Sequence, residues 1–537
     1  MIFQYFTPMK LVILSIFTVF FYMCSTAQNQ SIIFFRDKET ASKTFLNQFS
    51  QRSIDRRTKF NIPFDFKDFP VNAEYVEQLS QFGKVKSVSR WLNAAVVDLS
   101  ISNDQLKQQF SFISKIVEIK SSDVSRIEKE ELTQEKAISY GASAEQITQL
   151  NLDCLHDLGF QGEGVYLGVI DAGFSNMNNI DYFDSIYNDN RVIETFDFVN
   201  NTTNVYGFSA HGTGVSSCIV AQNTTPIVYY GTAVDIDIAL YRSEDADTET
   251  IEEEFNLVLA LERCDEQGID IANISLGYVD FDDPNDNHAY SDLDGETTIA
   301  AIGVNTAASK GIAVVAAAGN SGPSTLGTPC DADSVLCVGA VNNNGDYALF
   351  SSVGPSADGQ IKPDVVARGE DAAVVYDAGE VILANGTSFA SPIMCGATAC
   401  LMQAHPTRTP MDIFKAIRQS ASQFTMPNGQ MGYGIPDMCV ANDLLTATAT
   451  VQEINKLNVV LFPNPTKDFL TIKGLVNSEE LEVKLVSTMG QVVQQESSKI
   501  VQGMSVLDIR SLNSGVYFIE ITVDGTLSGV EKINVQR

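Results

Sequence analysis

The sequence predicts an α/β protein: a parallel sheet with helices on both faces, preceded by a small α+β unit and followed by a C-terminal β-sandwich. Three observations predict it. From about Tyr140 to Leu445, apolar strand-like runs such as GVYLGVIDAGF, DIDIALYRS, IDIANISLG and GIAVVAAAGN alternate with helical stretches, which is β-α-β repetition. Upstream, over 28–139, short runs such as SIIFF and AAVVDLS are separated by polar helical stretches, as in a separate α+β unit. Beyond 457, LNVVLFPNPTKDFLTIKG, STMGQVV, LNSGVYFIEITVDG and EKINVQR alternate apolar and polar residues between turn signals, as in a small antiparallel sandwich. With 537 residues the chain has room for two to four folded units.

The first 27 residues read as a signal peptide. Lys10 precedes an apolar run from Leu11 to Met23, and Ser25-Thr26-Ala27 supplies small residues for cleavage before Gln28. Met9 offers an alternative start. Cys24 does not read as a lipoprotein cysteine, because Phe21-Tyr22-Met23 lacks the small residues expected before one. The run is too short for a membrane span and no other stretch approaches 18 apolar residues, so the exported chain is expected not to be transmembrane. The 28–139 unit carries Arg56-Arg57, the lone Trp91 and a lysine- and glutamate-rich end, but no constellation of chemical groups. The chain's only histidines are His156, His211, His288 and His405.

In the central region, from 140 to 445, the leading Thr and early Glu residues of TIEEEFNLVLALERCDEQG suit a helix N-terminus. In parallel sheets ligands gather beyond the carboxyl ends of strands, where Asp171, Ser275-Leu276-Gly277 and Asn320 fall. A serine hydroxyl is a poor nucleophile until an imidazole takes its proton, and the imidazole needs a carboxylate to fix its tautomer and stabilise its cation. Asp171 in VIDAGF, His211 in HGTG and Ser388 in NGTSFASP supply those groups. The glycines after His211 let a helix start close to neighbouring backbone. Ser388 opens a helix running to about Cys400, whose free N–H groups face a developing oxyanion; Pro392 is expected near its first turn. The Asn320 side-chain amide is expected to complete an oxyanion hole with the Ser388 N–H.

Serine hydrolases run their triads in different chain orders, and Asp–His–Ser is the subtilisin order. VIDAGF, HGTG, AAGNSG and GTSFASP together resemble the subtilase family (peptidase family S8) over about 300 residues, with GYGIPD at 432–437 resembling its closing segment. Two positions depart from the family pattern: Ala172, where Thr or Ser is commoner, and Val234, where Pro is frequent. The resemblance implies a subtilisin-like peptidase domain and a serine endopeptidase that acylates Ser388 with protein or peptide substrates. It needs no cofactor for its chemistry. Ser275, Leu276 and Gly277 would pair with substrate, and Ala317, Ala318 and Gly319 would line the pocket. The resemblance implies that 28–139 is a propeptide, an intramolecular inhibitor cut between 120 and 145, before Tyr140, with an ordinary accessory domain as the alternative. The alternative is a catalytically silent adhesion or binding protein on the same scaffold.

After a polar linker at 446–456, the PNP turn, the MGQ turn, the SGVYFI strand and the basic end of 457–537 resemble the C-terminal sorting domain of type IX secretion. That implies passage across the outer membrane, with the secretion machinery as partner, to a secreted or surface-attached location. Charge fits export: 35 Lys plus Arg against 67 Asp plus Glu give −32, a surface that repels nucleic acid and anionic lipid. A monomer is expected. No EF-hand spacing supports calcium, no metal ligands are assigned, and Asp280, Asp282 and Asp283 read as solvated loop acids. Of the eight cysteines that follow Cys24, Cys330 and Cys337 flank a short loop and are candidates for a disulfide. Cys395 and Cys400, five apart on a helix, point about 140° apart and read as small buried hydrophobes.

Overall fold

The computed structural model describes residues 29–38, 43–120, 140–449, 460–473, 480–487, 492–499, 504–523 and 526–536. The predicted signal peptide, most of the predicted processing segment and the MGQ turn lie outside these residues. They form two units, up to Asn442 and from Asp443.

The N-terminal part of the first unit is a four-stranded antiparallel sheet in the order β2-β3-β1-β4. Its strands are β1 (Asn29–Phe35), β2 (Gly83–Ser89), β3 (Ala94–Leu99) and β4 (Ile113–Ile119). Its helices are α1 (Gln51–Lys59), α2 (Ala73–Ser80) and α3 (Asn103–Gln109). Successive strand residues face opposite ways. Ile33, Ala95 and Val97 therefore meet Leu79 and Leu106 of the unit's own helices, while Ile32, Ala94, Val96 and Ile119 turn to the peptidase region. AAVVDLS is a continuous apolar run because both of its faces are covered.

The following region is a seven-stranded parallel sheet, β5 (Tyr166–Asp171), β6 (Val192–Asp197), β7 (Asp237–Arg242), β8 (Ile271–Ile274), β9 (Ala313–Ala317), β10 (Val335–Val341) and β11 (Val365–Arg368), in the order β11-β10-β9-β8-β5-β7-β6. Helices α4 (His211–Val220), α5 (Ile251–Gln267), α6 (Ile299–Ser309) and α7 (Thr387–Ala404) cover it, so β8 to β11 are buried at every residue. At the start of α5 the Glu253 carboxylate accepts from the Thr250 N–H at 3.2 Å, and three glutamates in the first turn complement the helix dipole. Ile251, Phe255 and Val258 of α5 join Ala300 and Val304 of α6 in the core cluster that also takes Ile32, Trp91 and Ile119.

Two disulfides occur among the described residues, Cys154–Cys439 and Cys330–Cys337. By loop-closure entropy the shorter contributes about 2.5 kcal/mol and the longer about 5.6 kcal/mol. Cys218, Cys264, Cys395 and Cys400 are buried free thiols. A helix spanning Met438–Ala449 takes in 446–449, the first part of the expected linker; 450–456 lie outside the described residues. The helix's TATA run has no Gly or Pro to stop it.

The second unit holds two antiparallel sheets. One is β12 (Val460–Phe462), β13 (Phe469–Lys473) and β16 (Met504–Asp508). The other is β14 (Glu480–Ser487), β15 (Val492–Lys499), β17 (Gly515–Val523) and β18 (Thr526–Val535), in the order β15-β14-β17-β18. Alternate residues Leu470 and Ile472, Leu481, Val483 and Leu485, Ile519 and Ile521, and Ile533 and Val535 make its core. No helix among the described residues is long and apolar enough to cross a membrane.

Candidate active site

Asp171 is the last residue of β5, and its side chain is fully buried. Its Oδ1 accepts from the Ala172 N–H and lies 2.8 Å from His211 Nδ1. Its Oδ2 has no hydrogen-bond partner. His211 is the first residue of α4, and the approach is made possible by Gly212. That residue's N–H donates to the Gly173 carbonyl at 3.0 Å, and a Cβ on Gly212 would stand 2.4 Å from the same oxygen.

Burial works against charge on His211, but the charge and hydrogen bond of the adjacent Asp171 carboxylate outweigh it and raise the imidazole above its usual 6.5. A general base must be neutral to accept a proton. Activity is therefore expected to fall as pH drops through this raised value, with the acid limb of kcat/KM centred above pH 6.5. A pH profile on a chromogenic peptide checks this, and a midpoint at or below 6.5 contradicts it.

Ser388 is the second residue of α7, where backbone N–H groups have no intrahelical acceptor. Its hydroxyl donates to the Ser275 carbonyl at 3.3 Å. The His211 ring stands 6.0 Å, centroid to centroid, from that of the adjacent Phe389. Pro392 lies in the second turn of α7 rather than its first. Lacking an N–H, it leaves the carbonyl four residues earlier, that of Ser388, without its helical donor. The Ser275 hydroxyl donates to that carbonyl instead, at 2.8 Å, and in turn accepts from Asn273 Nδ2 at 2.9 Å.

Asn320 follows β9. Its Oδ1 accepts from both the N–H and the hydroxyl of Thr387, at 2.9 and 3.0 Å, which leaves Nδ2 as the outward donor. Gly386 has φ 153°, in the range that favours glycine. The point where its Cβ would stand is 3.5 Å from Asn320 Nδ2 and 3.7 Å from the Ser388 nitrogen. Two donors thus border one small space.

The expected substrate-binding residues divide. Leu276 and Gly277 remain accessible. Ser275 is 4% exposed, its hydroxyl committed to the Ser388 carbonyl. Ala318 is fully buried within the core cluster, so its side chain does not line a pocket. Alternation along the extended chain turns it inward. Gly319 remains partly open, its N–H held by Thr387 Oγ1 at 3.1 Å.

Three features were not singled out from the sequence. One is the orienting role of Thr387 toward Asn320. Another is the segment Gly327–Pro329 beside Gly277, where Tyr278 and Thr328 exchange backbone bonds at 2.9 and 3.2 Å next to the Cys330–Cys337 bridge. The third is a trio of acids, Glu244, Glu249 and Glu253, whose ligating atoms lie within 4.8 Å of one another and could hold a cation. Burial pushes the Glu244 carboxyl up to about 8. Asp283, read as a solvated loop acid, instead pairs with Lys120 at 2.8 Å.

Residues 162–434 match the subtilase family, 30–137 a peptidase S8 propeptide domain of Bacteroidota, and 460–536 a secretion system C-terminal sorting domain. Subtilisin NAT of Bacillus subtilis subsp. natto is 30% identical over 63% of this chain and 78% of its own length. Subtilisin of Bacillus pumilus is 32% identical over 53% and 92%. Among solved structures, the prenylagaramide maturation protease PagA covers 55% of this chain and 98% of its own at 24% identity and TM-score 0.44. This chain belongs to the subtilase family. It is a serine-type endopeptidase with an N-terminal propeptide and a sorting domain for type IX secretion.

Proposed function

We propose that this exported endopeptidase works through Asp171, His211 and Ser388 and an acyl-enzyme intermediate. His211 takes the Ser388 proton as Oγ attacks a peptide carbonyl, then delivers it to the leaving amine; water, activated by the same imidazole, releases the acyl group. Asp171 holds the imidazole through Nδ1 and stabilises its cation. Asn320 Nδ2 and the Ser388 N–H receive the oxyanion. For this, the Ser388 hydroxyl exchanges the Ser275 carbonyl for His211. The observation that carries the reading is the 2.8 Å contact of His211 with the buried Asp171, on a helix opening toward the strand ends that bear Ser275 and Asn320.

In the same reading the domains are a signal peptide at 1–27, a propeptide at 28–139, the peptidase domain at 140–445 and the sorting domain at 457–537. The secreted form is a monomer. Extended substrate lies along Leu276 and Gly277, with a pocket bounded by Gly319 and the Gly327–Pro329 segment. The test is labelling of the mature protein by a fluorophosphonate together with casein hydrolysis. Absence of both would leave the silent binding protein as the reading. Asn320→Ala is expected to lower kcat by about 10²- to 10³-fold with little change in KM, the magnitude known for the equivalent donor in subtilisin. Steady-state kinetics on a peptide anilide checks it, and an effect confined to KM would remove Asn320 from the oxyanion hole.

A further inference from the structure

The propeptide contacts the peptidase far from the cleft as well as near it. The carboxyl-terminal end of α5 and the turn into β8 carry Glu262, Asp265, Glu266 and Asp270, and the last turn of α5 has no basic residue. A helix carboxyl end is already negative, and cations usually offset it. Arg263, just before that turn, pairs with Glu266 at 3.0 Å, and the rest of the offset comes from the propeptide. Arg56 Nη2 and Arg57 Nη2 each lie 2.6 Å from one oxygen of Asp265, and Arg90 pairs with Glu266 at 2.6 Å and Glu262 at 3.2 Å. Arg52 pairs with Asp270 and donates to the Gly268 carbonyl, while Arg56 also donates to the carbonyls of Ile269 and Lys310. Among the described residues every cation paired with Asp265 belongs to the propeptide. The reverse holds for Lys310, whose acidic partners are Asp65 and Asp68 of the propeptide.

These groups are enclosed: Arg56 and Arg57 are 2% exposed and Asp265 is fully buried. They sit where β8 and β9 begin, at the sheet edge opposite the one bearing Asp171, Ser275 and Asn320. At the cleft end, by contrast, the propeptide's ion pairs among the described residues are Lys86–Glu252 and Lys120–Asp283, with lysine side chains 31% and 52% exposed. Exposed pairs contribute little, whereas stranding one partner of a buried, hydrogen-bonded pair is costly.

We propose that the carboxyl-terminal end of α5 is a guanidinium-binding exosite of the peptidase that recognises the adjacent arginines of α1, and that its occupancy, more than contact at the cleft, sets the lifetime of the propeptide complex after cleavage. This rests on the reading of 28–139 as the mask of the active site. The exosite engages a dibasic pair that is folded away within a helix, so Arg56-Arg57 serves in docking rather than as a processing site.

The test uses the full chain with Ser388→Ala and a recognition sequence for a site-specific protease placed between 121 and 139. After cutting, propeptide release is followed by size-exclusion chromatography over time. Arg56→Gln with Arg57→Gln is expected to accelerate release at least about 100-fold, and Lys120→Gln by less than about 3-fold. Equal effects of the two, or unchanged release from the double variant, would overturn the exosite. If the double variant does not accumulate folded, Arg56→Lys, which keeps the charge but loses the fork, replaces it: release at least about 10-fold faster supports the exosite and unchanged release refutes it. Because this assay reads release and not activity, the masking reading fails separately, if the chain with Ser388 restored is as active with its propeptide attached as after its removal.

Discussion

Ser388→Ala is expected to lower kcat on a peptide substrate by about a million-fold and to abolish fluorophosphonate labelling, while the chain still folds. The magnitude is that known for the nucleophile of subtilisin itself. The size follows from what the hydroxyl alone supplies: without Oγ there is no acyl-enzyme, and His211 has no nucleophile to deprotonate. A residual acceleration of about 10³- to 10⁴-fold over water should persist, because Asn320 Nδ2 and the backbone N–H at position 388 are still arranged around the same space. The hydroxyl also donates to the Ser275 carbonyl at 3.3 Å. Losing that long contact is worth at most about 1 kcal/mol of stability, so a melting curve close to the parent's separates loss of chemistry from loss of fold. A variant that retains more than a hundredth of parental kcat would remove Ser388 as the nucleophile.

Asp171→Asn is the second large effect, with kcat/KM falling by about 10⁴-fold. The local geometry says how. Both donors that meet Asp171, the Ala172 N–H and His211 Nδ1, converge on Oδ1. An asparagine must therefore keep its carbonyl oxygen there and place its amide nitrogen where Oδ2 now stands without a partner. His211 then retains its proton on Nδ1, and what disappears is the negative charge that stabilises the imidazolium. The acid limb should accordingly move down from its raised position, and raising the pH should not restore the lost rate. Recovery at high pH would mean that the amide had flipped and imposed the other imidazole tautomer.

Much of this was legible along the chain because it is encoded locally. The start of α5 is written in Thr250 and the glutamates that follow. The sandwich core is written in the alternation of FLTIK and YFIEI. Asp171, Asn320 and Ser388 stand out because strand ends and helix starts are short-range patterns, and the Asp–His–Ser order needs no contact map. The less legible parts depend on partners distant in sequence. Cys154 meets Cys439 across 285 positions. Ser275 answers a carbonyl 113 residues away that Pro392 has left free. Arg56 and Arg57 find Asp265 across more than 200 residues, so a dibasic pair is among the most enclosed charges in the propeptide.

The sequence by itself determined the residue types able to do the chemistry, their order, the strand and helix periods and the C-terminal sorting pattern, because each is carried within one or two turns or strands. Only the tertiary structure decided which way those side chains point: Ala318 into the core, Ser275 toward the Ser388 backbone, the Asn320 amide outward, and the arginines of α1 beneath the sheet. Orientation depends on which buried polar groups lack a partner once the elements meet, and that accounting closes only in three dimensions.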